Sequence, residues 1–469
     1  MTKERHGPPF FAWHTQMGPD RWALKTVLAL WAIMVSVVVC CIAFYGHNVP
    51  LAEDWDMVPA QTGQEPNLLA WLWAQNNEHR LPLQKAIYLV LLKASGGDFR
   101  IGMVANALML GGLSLAMILT ARRIRGGQTR LADAFFPLTL LHLGHWENMV
   151  WGWEIQFVIS TVLVCLWLLI IVCERWPLPP KIAVTAGLIL VLLPLSGANG
   201  LLFTPFMALW YAAGTLVHRR DMTARWIARF QIGCVIASIA LVGLYFVGYV
   251  RPTWGPPNPG FGPTVKTGAR FVGMALGPVG AYPGWIARLA FAVASLLWAS
   301  SIIPLWRGLR SNHTPERFQV LGLLIFAAAM AAQVAAIAWG RAGWVPRFGM
   351  PDRYALFSVP ALCAAYFFWI LYGREVLRDR IAITFAIATL VAFPFNLIQG
   401  RNWRDWYVAG MEAFEHDLSD GLSWQELADR HYKFLMHWDR DALVERMRML
   451  HEAKAGPLGR AAPREPIPP

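Results

Sequence analysis

Charge is scarce in this sequence. Only 15% of its 469 residues are Asp, Glu, Lys or Arg, against about 25% in soluble domains. Apolar residues make up 56%, and mean hydropathy is +0.40. A water-soluble chain of this length has no way to bury so much apolar surface, whereas a bilayer removes the problem. Cysteine pairing is missing as well. Cys40, Cys41, Cys165, Cys173, Cys234 and Cys363 lie in or at the ends of apolar runs, with no CxxC spacing, which argues against a disulfide frame or a zinc site. A Gly-rich phosphate loop and an alternating strand–helix pattern are absent, so no nucleotide-binding domain is indicated. No internal repeat is visible, which weakens a transporter reading, since many transporter folds are built from repeats. The first apolar run is too long for a signal-peptide core and lacks a small-residue cleavage site. It is expected to be an uncleaved anchor with its N-terminal side in the cytoplasm.

What is present is tryptophan, 24 residues of it, a residue enriched where apolar and aqueous phases meet. Apolar runs of roughly 20 residues predict membrane spans near 23–45, 101–120, 131–145, 154–173, 181–196, 200–217, 229–249, 285–304, 318–338, 354–372 and 381–398. The expected architecture is therefore an all-α polytopic membrane protein of about eleven spans. The stretch 81–95 is apolar but short and carries Lys85 and Lys93. Placing it along the outer interface puts 20 Lys/Arg in the cytoplasmic segments and 7 in the outer connections 46–80, 145–153, 249–284 and 339–353, the asymmetry that membrane topology favours between spans. The net charge of +12 is thus a loop pattern between apolar runs, not a nucleic-acid-binding face. Expected divisions are a cytoplasmic N-terminus (1–22), a transmembrane domain (23–400) whose first outer loop is 46–100, and a polar non-cytoplasmic tail (401–469). The tail has amphipathic stretches near 421–454 and a Pro-rich end.

Chemistry-bearing residues gather on the outer side. LAEDWDMVPA places Glu53, Asp54 and Asp56 within four residues; clustered carboxylates raise one another's pKa and are poised to accept a proton. The same string also reads as a solvated acidic turn. NNEHRLP supplies Glu78, His79 and Arg80, a set suited to a sugar or an anionic headgroup, or to capping a helix before Pro82. HLGHWENMVWGWEIQ holds His142, His145, Glu147, Asn148, Trp151 and Glu154; ionisable groups at membrane depth are functional candidates, and aromatic walls suit a sugar ring. The alternative is an aromatic belt whose glutamates face water. Asn199, between glycines in LSGANGLLFTP, marks either a helix break lining a cavity or a tight turn. In RFGMPDRYALFS, Arg347 and Arg353 run against the charge trend, as Arg341 does just before them. Arg353 opens a span, where the helix dipole favours an anion, and an arginine also simply snorkels to headgroups.

The order of a first span, EDWD, an interfacial helix, WENMVWGWE and DRYALFS resembles the GT-C superfamily of membrane glycosyltransferases. NNEHRLP, GGDFR, HWENMVWGWEIQF and GANGLLFTP look like bacterial members related to lipid-linked sugar transferases. The resemblance covers roughly residues 23–400. It implies a GT-C-like bundle in a bacterial plasma membrane and transfer of a sugar from a polyprenyl-phosphate carrier to an envelope glycan, lipid or protein. It further implies Asp54 or Asp56 as general base, Glu147 as a second acidic position and Arg353 as the grip on the carrier phosphate. The sequence departs from the usual adjacent acid pair by reading Glu53-Asp54-Trp55-Asp56, so the base stays open between Asp54 and Asp56. No nucleotide site is required and no cofactor is assigned; the three carboxylates can bind a divalent cation as readily as act as a base. The competing reading is a transporter or flippase of lipid-linked sugars, which would place ionisable groups at mid-membrane in broken helices.

Overall fold

The computed structural model describes residues 21–220, 225–310 and 314–462, apart from the side chains of residues 314, 315, 347 and 348. Among the described residues the architecture is all-α, with a single two-stranded ribbon pairing Gln75–Asn76 with His79–Arg80. The principal helices are α1 (Arg21–Tyr45), α2 (Pro82–Ala94), α3 (Arg100–Ile124), α4 (Ile155–Cys173), α5 (Pro180–Leu192), α6 (Ala198–His218) and α7 (Arg225–Phe246). They continue with α8 (Phe261–Gly273), α9 (Trp285–Ser300), α10 (Thr314–Arg341), α11 (Ala355–Tyr372), α12 (Glu375–Ser419), α13 (Trp424–Leu435) and α14 (Arg440–Glu452). Among the described residues, nine helices are long and apolar enough to cross a membrane. α4 and α11 are apolar all round and almost wholly buried, so they form the centre, while α1 is buried along one stripe and sits at the periphery.

Two expected spans take other forms. Pro180–Ser196 is a shorter apolar element, helix α5 followed by a 3-10 turn. It ends at Gly197, whose φ of +89° suits glycine. The stretch 131–145 is not one helix. Short turns Leu131–Ala134, Phe135–Leu140, Leu143–His145, Trp146–Val150 and Gly152–Glu154 follow one another. Pro137 has no N–H to give, His142 and His145 are polar, and nearly every residue from 135 to 155 is buried in protein, where irregular backbone is tolerated. At 13 residues, α2 is too short to span. The predicted outer loop 250–284 contains a helix, α8, followed by turns held by Asn396. The Asn396 amide donates to Leu276 O at 2.7 Å and its oxygen accepts from Val279 N at 2.9 Å.

The basic clusters meet at one end of the bundle. There Arg123 pairs with Glu174 (3.1 Å), Arg175 with Glu316 (3.5 Å) and Arg130 with Asp379 (3.7 Å). The end of α1, the start of α4 and the start of α11 gather at the other. α12 does not stop where its apolar stretch does. It runs 45 residues to Ser419, so the expected division at 400 falls inside one helix. Beyond it, α13 and α14 form a hairpin whose apolar residues (Leu427, Leu435, Leu443 and Met447 among them) are buried, as the amphipathic pattern at 421–454 implies. Ser423 and Glu426 cap α13 reciprocally. α14 docks on the short helix Val58–Thr62, and Arg446 pairs with Asp56 at 2.8 Å.

At the basic end, Arg125 grips Asp133 at 2.8 Å with both side chains 3% exposed or less, and Tyr366 donates to the same carboxylate at 2.8 Å. Removing one partner strands a buried charge. Asp133→Ala is expected to destabilise the fold by about 3–5 kcal/mol, read as a lowered thermal midpoint in detergent; an unchanged midpoint refutes a structural role for the pair.

Candidate functional site

EDWD folds as a 3-10 turn, Ala52–Met57, that follows α1 and packs against the 3-10 turn Gly152–Glu154. Ala52 sits at a φ of +46°, a left-handed conformation that costs a non-glycine residue about 1–2 kcal/mol. Surrounding bonds hold it there. Asp54 Oδ2 accepts from Leu51 N at 3.2 Å, Asp54 N donates to Leu51 O at 3.0 Å, and Trp151 Nε1 donates to the same carbonyl at 2.9 Å. Asp54 is 1% exposed. Its Oδ1 accepts from the Tyr88 hydroxyl at 2.9 Å, and the backbone N–H of Trp153 also donates to it. Burial outweighs these donors and pushes its pKa up to about 7. The same burial, with Asp54 beside it, raises the Tyr88 hydroxyl. Tyr88 reaches this place because two glycines leave room: a Cβ on Gly152 would lie 2.2 Å from its hydroxyl and one on Gly102 would lie 2.7 Å from its ring.

The segments WENMVWGWE and DRYALFS close on this turn. The Arg353 guanidinium forms an ion pair with Glu147, its backbone N–H donates to the other Glu147 oxygen at 2.9 Å, and its Nε lies 3.7 Å from Glu154. It stands over the Trp151 ring at 5.7 Å, while Asn148 donates to its carbonyl at 3.2 Å. Glu154 is 1% exposed and lies within electrostatic reach of Glu53 and Asp54. Three carboxyl groups from two distant segments, Glu53, Glu147 and Glu154, therefore surround one guanidinium from a third, with Asp54 next to Glu53.

The three acids of EDWD are not equivalent. Both Asp54 oxygens are engaged. Asp56 is committed to structure, with Oδ1 taken by Arg446 at 2.8 Å and Oδ2 by Asn76 at 2.8 Å. Glu53 has the freest carboxyl: Oε1 meets only a long bond of 3.4 Å from Asn77, and Oε2 has no partner. Burial raises its pKa, opposed by Arg353 and reinforced by Asp56 and Glu147.

Other sequence candidates go elsewhere. Arg80 spends its guanidinium on the carbonyls of Trp73 (2.7 Å), Tyr245 (3.0 Å) and Val247 (2.9 Å), clamping the ribbon to the end of α7 rather than facing a ligand. His145 is fully buried, bonded to Thr139 O at 3.0 Å and stacked on His142 at 4.2 Å, away from the acids. Glu78, His79 and Asn199 line a neighbouring cavity of about 210 Å³, as does Arg341. The Arg347 side chain lies outside the described residues. Sequence reasoning missed Tyr88 and Arg446. Tyr88 had a signal, since Lys85, Tyr88, Leu89 and Leu92 share the buried face of α2; Arg446, nearly 400 positions from Asp56, had none. As for a metal, Asp54 and Asp56 turn to different partners. Among the described residues, three donor atoms within 4.8 Å of one another occur at His416, Asp417 and Asp420, near the C-terminal end of α12.

No protein-family description matches the chain, and no curated protein does. Among solved structures it is similar to the crystal structure of ArnT from Cupriavidus metallidurans bound to undecaprenyl phosphate. The match has 13% identity and a TM-score of 0.47, and covers 93% of this chain and 88% of that one.

The raised pKa of Asp54 sets the sign of a pH effect. The fold favours the protonated form, so this group's contribution to stability is complete below the unfolded value of 3.8 and is lost as pH rises toward about 7. Asp54→Asn removes that dependence while keeping an oxygen for Tyr88. Its unfolding midpoint in detergent, compared with wild type, is expected to improve steadily from pH 4 to pH 7; a constant offset shows that Asp54 titrates normally.

Proposed function

We propose that the chain is a membrane glycosyltransferase of the GT-C kind. In this reading it moves a sugar from a polyprenyl-phosphate carrier to an acceptor hydroxyl, at the bilayer face opposite the basic loops. The observation that carries this reading is the convergence of Glu53, Glu147 and Glu154 on Arg353 at one end of an apolar bundle, with Asp54 within electrostatic reach of Glu53 and Glu154. The positive-inside asymmetry supports placing that end outside the cytoplasm.

A general base must come within hydrogen-bond reach of the proton that it takes. Among the first-loop acids Glu53 meets that condition best, because one of its oxygens has no partner, and a raised pKa makes it a stronger base once ionised. In the proposed step Glu53 accepts the acceptor's hydroxyl proton as that oxygen bonds to the anomeric carbon. The bond from this carbon to the phosphate oxygen breaks, the carrier departs as polyprenyl phosphate, and the anomeric centre inverts. The departing phosphate needs positive charge rather than a proton. Arg353 supplies it, aimed by Glu147 and Glu154 and one-quarter exposed. Asp54 fixes the turn that presents Glu53, and its partial protonation near neutrality softens the negative field that an incoming phosphate meets. A flippase would need its ionisable groups at mid-membrane, whereas these lie where helices begin, which favours an enzyme.

The test is release of polyprenyl phosphate from a labelled polyprenyl-phosphate sugar by membranes bearing each variant. Glu53→Gln is expected to lower the rate by about 10²–10⁴-fold, and Arg353→Gln by at least about 10²-fold. Asp56→Asn, which loosens only the contact to Arg446, is expected to stay within about tenfold of wild type. Full activity in both Glu53→Gln and Asp54→Asn removes the first-loop base.

A further inference from the structure

Beside the acid cluster lies the cavity of about 210 Å³ lined by residues of α4, α6, α10 and α11 and by Glu78 and His79 of the first loop. It is small against the ~300–1,000 Å³ of drug-sized sites, with room for one ring and not for a long lipid. Its polar groups form a neutral set. Asn199 donates to Ser160 Oγ at 2.7 Å and accepts from the Gln333 amide. Glu78 neutralises Arg341 at 3.2 Å, and that guanidinium lies over the Tyr354 ring at 5.1 Å. Two buried atoms have no partner, Gln333 Oε1, on a side chain 2% exposed, and His79 Nδ1. An unmade buried hydrogen bond costs about 1–3 kcal/mol, so a partner from a ligand is the natural complement. The apolar wall is aromatic: Phe157 and Phe357 stack at 4.2 Å, with Tyr354 edge-on to both.

The cavity abuts the cluster at three places along the chain. Asn77 touches Glu53 and the next residue, Glu78, lines the cavity; Arg353 is followed by Tyr354; Gln156 lies two residues past Glu154. We propose that this cavity is the subsite for the sugar ring of the carrier-bound donor, and that it selects an uncharged sugar. Hydroxyls meet Gln333 Oε1 and His79, the C–H face of the ring lies on the aromatic wall, and the phosphate projects toward Arg353. A uronic acid finds no free cation there among the described residues, because Arg341 is held by Glu78. This inference rests on the glycosyltransferase reading.

The experiment measures binding, not transfer, on the purified full-length chain in nanodiscs. The probes are polyprenyl-phosphate glucose, the same carrier bearing glucuronic acid, and bare polyprenyl phosphate. Wild type is expected to bind the glucose carrier about tenfold tighter than the bare one and to gain nothing from glucuronic acid. Two variants act from different sides: Gln333→Met deletes the amide at nearly constant volume, and Ala336→Trp fills the space. Each is expected to erase the glucose advantage while bare polyprenyl phosphate binds within about threefold of wild type, which also certifies the fold. The subsite is overturned if wild type does not distinguish glucose from bare carrier, if both variants keep the advantage, or if they weaken bare carrier equally, the mark of a pocket for the lipid or its phosphate. Equal binding of the glucuronic acid carrier overturns the selectivity for neutral sugars. Failure of wild type to bind any carrier form brings down the glycosyltransferase reading as well.

Discussion

Everything at the acid-bearing end of this protein depends on one partly buried cation. Arg353 stands at the beginning of α11, among Glu147, Glu154 and Glu53, with little water to screen it. A guanidinium is costly to bury alone, and so are the carboxylates, so each segment is stable in place only because the others are there. The pairing fixes the start of α11 against the start of α4, and Trp151 then fixes both against the first loop through Leu51. The acids outnumber the base, and protons must make up part of the difference. That imbalance separates a site from a structural bridge. At the basic end, Arg125 and Asp133 match one for one and are closed by a tyrosine.

The sequence made the membrane class and most spans legible because hydropathy is a local signal read over 20 residues at a time. The same signal misled at 131–145, where apolar residues were abundant but Pro137, His142 and His145 prevent a continuous helix. It also under-read α12, since a helix continues as long as its backbone bonds do, whether or not its side chains stay apolar. The segments EDWD, WENMVWGWE and DRYALFS were legible as candidates because polar groups between apolar runs are conspicuous.

The division of labour within those segments was not legible. EDWD names three acids but does not say which keeps a free oxygen. That depends on Tyr88, Asn76 and Arg446, contacts between elements distant in the chain. Arg80 shows the converse. Its residue type and position suggested a ligand, yet the carbonyls of Trp73, Tyr245 and Val247 engage each of its three guanidinium nitrogens. Buried backbone carbonyls need donors as surely as substrates do. The amide chain Ser160–Asn199–Gln333 is similar: Asn199 stood out between its glycines, whereas Gln333 is one polar residue in an apolar helix and acquires meaning only from what it faces.

α12 is a single rod of 45 residues, about 68 Å long at 1.5 Å per residue. The hydrocarbon layer takes up about 30 Å of such a length, so a large part of the rod stands in water with the α13–α14 hairpin at its tip. That hairpin returns to the EDWD turn through Arg446. The rod is thus a lever rooted among lipid tails whose far arm rests on the acid-bearing turn. A lever so placed would carry a change in tilt at its root, such as one imposed by bilayer thickness, to the turn beside Asp56.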